Sequence, residues 1–198
     1  KGHEWENDTY CSIFCFNKYM HNYKEWRENN SKAQLKIQGT EEQKEKNEEL
    51  YSEIVEQSEK KHIEDLIEVK TDDNNQYVMI SLSGGILFDS GSDEIRKGAK
   101  PILSRVSEIL KQYPKKMIKI EGHTDNIPIS NAKYPSNLWL STARATKVLE
   151  YLVDTRGLNP KNLEASGRGE LNPIRDNSTA DGRAKNRRVE IKIYSTSN

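Results

Sequence analysis

"YVMISLSGGILFDSGSDEI", residues 77–95, marks a change in the texture of the chain, and its reading decides the fold. "YVMISLS" has the β-branched and aromatic content of a strand. The glycines and Ser/Asp pairs that follow make a loop, and Ser92 ahead of Ile95 suggests a capped helix start. Over 94–112, Ile95, Ala99, Ile102, Val106, Ile109 and Leu110 recur at helical spacing. Pro101 falls inside that pattern, so the helix begins there or kinks there.

Further on, "KMIKIEG" reads as a second strand and "NLWLSTARATKVLEYLVDTRG" as a second long helix ended by Gly157. "LEASGRGE" is a short third strand running into a loop. "NRRVEIKIYS" is a last strand, with Val189, Ile191 and Ile193 alternating against charged residues. The order strand-helix-strand-helix-strand-strand gives an α/β two-layer sandwich on a mixed sheet. One sheet face is left exposed or is covered by the segment that precedes the domain.

That preceding segment is charged. Residues 40–69 read as a helix, with Leu50, Ile54, Ile63, Leu66 and Ile67 in a field of Glu, Lys and Gln, followed by a turn cluster at 71–76. The expected organisation is a poorly ordered or membrane-proximal arm over 1–38, a charged helical linker over 39–75 and a folded domain over 76–198. Hydrophobic residues make up 33% and charged residues 31%, which suits one compact core carrying a long solvated segment. No run approaches 18 apolar residues, so no membrane span is expected in the chain as given. Cys11 and Cys15 have no second Cys/His pair at zinc spacing, so they are a weak metal signal.

Charge is unevenly spread. Residues 40–70 hold 11 acidic and 5 basic side chains, whereas 115–198 hold 15 basic and 9 acidic. A basic half can attract nucleic acid, but no stacking platform or nucleic-acid motif accompanies it, so no nucleic-acid partner is expected.

"GHTDNIPI", 122–129, is the stretch most suggestive of chemistry. A metal at His123 and Asp125 lacks further ligands, because His3, His21 and His62 lie outside the core region. A triad of Ser141, His123 and Asp125 lacks both a nucleophile elbow and an oxyanion loop. "GRGE" is no dinucleotide motif. No cofactor and no catalytic residue are expected. A clamp remains: Asp125 at a strand end, Arg144 early on the next helix, and Arg187 and Arg188 opening the last strand. Asp suits an ammonium and Arg takes a carboxylate in a two-pronged fork, so the set suits a zwitterion. A plain structural salt bridge between Asp125 and an arginine fits the same spacing equally well.

"IEGHTDNIPI", "YPSNLWLSTARA", "GRGELNPI" and "TADGRAKNRRVEI", in this order after "ISLSGGILFDSGSDEI", resemble the OmpA-like peptidoglycan-binding domain over about 76–195. The insertion "NIPISNAKYPSN" is similar to that of flagellar-motor stator proteins of the MotB type. The resemblance implies a non-catalytic domain that grips the peptide stem of peptidoglycan, usually through diaminopimelate. It implies binding residues Asp125, Asn137, Arg144 and Arg187, with Asp89 lining the same cleft. It also implies a homodimer, a membrane stator partner of the MotA type, and a place in the periplasm or on the outer side of the cytoplasmic membrane, against the cell wall. A general envelope anchor unrelated to motility is the alternative. The stator family's single transmembrane helix has no counterpart in "CSIFCFNKYMHNYKEW", which is too short and polar to span a bilayer.

Overall fold

In the computed structural model, residues 41–195 are described. The expectations for the 1–38 arm, including Cys11 and Cys15, lie outside them. Five strands form one sheet: β1 (Ile67–Thr71), β2 (Tyr77–Ser83), β3 (Ile118–His123), β4 (Leu163–Gly169) and β5 (Arg188–Tyr194). Their spatial order is β1-β2-β5-β3-β4. All neighbours are antiparallel except β3 and β4, which run parallel. The mixed sheet with helices on one side is the expected two-layer α/β architecture.

The alternation of each strand builds the core row by row. Val69, Ile80, Ile191, Ile120 and Ala165 lie opposite one another across all five strands. Ile80, Ile120 and Ile191 are wholly buried, and each contributes about 1.5–3 kcal/mol by leaving water. The next row ends in Gly122 and Gly167, side by side on β3 and β4. Here α4 (Asn137–Glu150) crosses so closely that a Cβ on Gly122 would run into the Ser141 carbonyl, and one on Gly167 into Thr142. These glycines seat the helix that carries Asn137 and Arg144 directly on the strand that carries Asp125.

Helix α3 (Lys100–Leu110) starts at the proline, as the N-terminal preference of Pro allows, after a 3-10 turn at Lys97–Ala99. The end of α4 runs on as a π turn, Tyr151–Thr155, and Gly157 follows at φ 73°. A single turn, α2 (Gly84–Leu87), leads out of β2.

Two expectations are corrected. The helix expected over 40–69 ends at Lys60: α1 is Glu41–Lys60, His62 turns with φ 53°, and Ile67–Thr71 is edge strand β1. "IEVKT" alternates apolar and charged residues, a strand period that Ile63, Leu66 and Ile67 masked by falling at helical spacing. The second is the linker, which packs into the core on the helix side, so among the described residues the uncovered one of the two alternatives for the other sheet face holds. Leu50 and Ile54 join the same core as Leu103 and Ile109 of α3, and Lys61 pairs with Glu108 at 2.7 Å. Residues 41–71 therefore belong to the same compact unit as the rest of the described chain. Among the described residues no helix is long and apolar enough to cross a membrane.

Candidate functional site

β3 delivers Asp125 just past its end, β5 receives Arg187 just before its start, and α4 begins between them with Asn137. These meet at the same edge of the sheet because β3 and β5 are antiparallel neighbours, with His123 opposite Arg188. A cleft of about 540 Å³ opens there, a usual size for a small-ligand site. Its polar lining includes Asp125, Arg144, Arg187 and Arg183, and its apolar lining includes Phe88, Ile127, Ile129 and Leu140. All five residues expected from the sequence, Asp89, Asp125, Asn137, Arg144 and Arg187, border this one cleft.

Their bonds differ. The Asp125 carboxylate accepts from Arg187 Nη1 at 2.5 Å and, through its other oxygen, from the Ile127 N–H at 3.1 Å. Its side chain is 11% exposed, while that of Arg187 is 40% exposed. So the ion pair has a fixed acid and a movable base at the mouth of the cleft. Asn137 donates from its amide to the carbonyls of Asp125 (3.3 Å) and Ile127 (3.0 Å), and so holds the turn that aims the aspartate.

Arg144 is buried. Its Nε donates to the Ser92 carbonyl at 2.8 Å and its Nη2 to the Asp89 carbonyl at 3.0 Å. The guanidinium lies 5.0 Å from the Phe88 ring centroid, and burial lowers its pKa. It is thus a brace for the 89–92 loop as well as a cation facing the cleft. The free two-pronged fork expected of it is already spent in part on carbonyls. The Asp89 carboxylate points outward to Arg96, 3.4 Å away, and is mostly exposed.

Arg183 went unread in the sequence. It lies on α5 (Ala180–Asn186), a short helix in what reads as a loop, and donates to the carbonyls of Asn177 and Ser178. The signal was "TADG": Thr179 caps the helix by accepting from the Gly182 N–H. A helix this short has too few turns to show an apolar period.

The metal question moves to other residues. Glu121, His123 and Glu190 are buried on the open sheet face with their ligand atoms within 4.8 Å of one another. An ammonium already occupies the position a cation would take. Lys192 Nζ lies 2.6 Å from Glu121 and 3.2 Å from Glu190. Arg168 and Lys119 also pair with Glu121, and Arg188 pairs with Glu190. Burial would raise both carboxyls, but hydrogen bonds from Arg168 and Lys192 hold Glu121 at about 2. The neighbouring His123, Arg188 and Lys192 likewise hold Glu190 at about 2. His123 Nε2 is 3.4 Å from Glu190, near enough to act on its charge, while neither ring nitrogen makes a hydrogen bond of standard geometry. A divalent ion there would have to expel Lys192 and face the remaining guanidinium groups, so these residues do not suit one.

A family model described as the OmpA family matches residues 87–187. Motility protein B of Bacillus subtilis is 40% identical over 133 residues, which are 67% of this chain and 50% of that protein. Peptidoglycan-binding protein ArfA of Mycobacterium tuberculosis is 38% identical over 119 residues, 60% of this chain and 35% of that protein. Among solved structures, a MotB-like protein from Desulfovibrio vulgaris superposes with a TM-score of 0.71 at 28% identity, covering 79% of this chain and 97% of that one. The chain thus spans half or less of the length of these two curated relatives.

Proposed function

This chain belongs to the OmpA family, and from that premise we propose that it binds peptidoglycan without catalysis, gripping the stem peptide in the cleft at Asp125. The observation that carries the proposal is the Asp125–Arg187 pair, placed at an open cleft rather than inside the core. A zwitterionic centre, such as the free end of diaminopimelate, brings its own ammonium and carboxylate. The ammonium takes Asp125, Arg187 swings to the carboxylate, and two ion pairs replace one. Arg144 and Arg183 add positive potential at the carboxylate side, and Asn137 keeps the Asp125 turn in place. The apolar lining, Phe88, Ile127 and Leu140, suits the methylene chain between the charged ends.

Within the family, the reading we favour is an anchor of stator type. The support is the insertion 126–137, which lines the cleft, together with the likeness to Motility protein B. In that reading the full protein is a homodimer at the outer side of the cytoplasmic membrane, with a membrane partner of the MotA type. The likeness to ArfA favours the second reading, a general envelope anchor.

Co-sedimentation with insoluble peptidoglycan tests binding. The wild-type chain is expected in the pellet, and Asp125→Ala and Arg187→Ala, shown folded by circular dichroism, in the supernatant. If all three partition alike, the cleft is not the wall site. Swimming of a deletion strain separates the readings: loss of motility supports the stator, and normal swimming with a weakened envelope supports the general anchor.

A further inference from the structure

The insertion 126–137 is held by a residue assigned no role from the sequence, in the same "FDSGSDEI" stretch as Asp89. Asp93 is 6% exposed, in the loop between α2 and the 3-10 turn. Its carboxylate accepts from Lys133 Nζ at 2.7 Å, 40 residues along the chain. The Tyr134 ring is buried next to it, with Lys133 Nζ 5.2 Å from the ring centroid. Tyr134 is 3% exposed, and its hydroxyl is enclosed beside Asp93 without a hydrogen bond of standard geometry. Around these two residues the loop is tied to itself: the Asn131 side-chain oxygen accepts the N–H groups of Lys133 and Tyr134, and the Asn131 N–H donates to the Tyr134 carbonyl.

The same 89–93 loop is held from the other side by Arg144, through the carbonyls of Asp89 and Ser92. Gly91, at its tip, has φ 65°, and a Cβ there would come within 3.7 Å of the Ile129 methyl. So the loop and the insertion meet at Gly91 and Ile129 and are pinned together at Asp93 and Lys133. Ile129 and the two residues before it, Ile127 and Pro128, line the cleft.

We propose that Asp93 is a positioning residue for this cleft: through Lys133 and Tyr134 it fixes residues 127–129 as the apolar wall against which the ligand's hydrocarbon chain lies. This rests on the reading of the cleft as the stem-peptide site. The charged jaws hold the ends of the ligand, and the wall sets the distance at which its methylene chain is covered. A buried carboxylate bonded to Lys133 and packed beside Tyr134 defines a single loop position, whereas apolar contacts alone would allow several. Lys133 is largely exposed, so its loss releases the wall without opening the core.

The test uses a soluble stem tripeptide ending in meso-diaminopimelate, with binding measured by calorimetry and loop opening by hydrogen exchange over 126–136. Lys133→Met and Asp93→Asn are expected to raise exchange in that segment and weaken binding about tenfold. Lys133→Arg, which keeps the bridge, should restore both to wild-type values. If exchange rises while affinity stays within about twofold, the loop is pinned but is not part of the ligand site, and the proposal is wrong. If exchange does not rise, Asp93 does not hold the wall, and the proposal is equally wrong. If the wild-type chain itself fails to bind the peptide, the stem-peptide reading falls and takes this ligand for the wall with it.

Discussion

Arg187 and Arg188 are consecutive residues with opposite circumstances. Arg187 reaches into the cleft, is 40% exposed and pairs with Asp125. Arg188 turns to the open face of the sheet, is 5% exposed and donates to Glu190 at 2.7 Å and to the carbonyls of Asn186 and Asn172. The strand period of two sends them to different sides. One arginine keeps unspent donors at the protein surface. The other, with Lys192, Arg168, Glu121 and Glu190, belongs to a network in which every carboxylate oxygen is bonded. Residue type does not separate the ion pair at the cleft from the one on the sheet face. Exposure and spare hydrogen-bonding capacity do.

The sharpest way to break the contrast is to remove one member of the buried network. Glu190→Ala strands Arg188 on the open face and strips Lys192 of one of its two carboxylates, so a loss of about 3–5 kcal/mol is expected in urea unfolding. A loss below about 1 kcal/mol would mean the network is solvated and no different from the cleft pair.

Acid is the next probe. Glu121 and Glu190 ionise at about 2 in the fold against 4.5 ordinarily. Their depressed values mean that this stabilisation is complete above about pH 4.5 and is lost as pH falls through 2. The urea midpoint should therefore fall steadily over that window, and Glu121→Gln should flatten the fall. A midpoint indifferent to pH between 4.5 and 2 would contradict the assignment.

Asp125→Ala should cost about 1 kcal/mol in folding, because its partner Arg187 can turn to water. A cost near that of Glu190→Ala would make Asp125 a structural residue and undo the comparison from the other side. Smallest of all, Arg168→Ala should cost about 1 kcal/mol or less, since Arg168 is 45% exposed and Glu121 keeps Lys192 and Lys119.

What the sequence disclosed follows the same division. β-Branched and aromatic content in "YVMISLS" and alternation in "RVEIKIY" disclosed two central strands, and a Pro and a Gly bounded two helices. Asp125, Arg144 and Arg187 lie near strand and helix ends, so their places in the chain were enough to bring them to one cleft, whereas Asn137 and Asp89 came only with the family resemblance. β1 was not legible, because five residues of alternation were overprinted by helical spacing, and α5 is too short for a period. Nor was the Glu121–Lys192 bond, across 71 residues, or Asp93–Lys133, across 40. No local pattern marks such partners; only strand order and loop packing bring them together. Asp125 with Arg187 was left balanced between salt bridge and clamp, and the structure holds the pair as a salt bridge set in a cleft.

One feature of α1 bears on how the fold would respond to a pull. Its first turns are tied to the end of the sheet away from the cleft: Gln43 bonds to Ser195 and Asn75, and Asn47 donates to the Tyr77 carbonyl. β5 runs from Arg188 near the cleft to Tyr194 at that far end, so about 20 Å of sheet separates them. A pull entering at Glu41 and resisted at Asp125 would therefore act along the helix and the strands, in shear. Leu50 and Ile54 would have to slide across the core together rather than peel away one at a time.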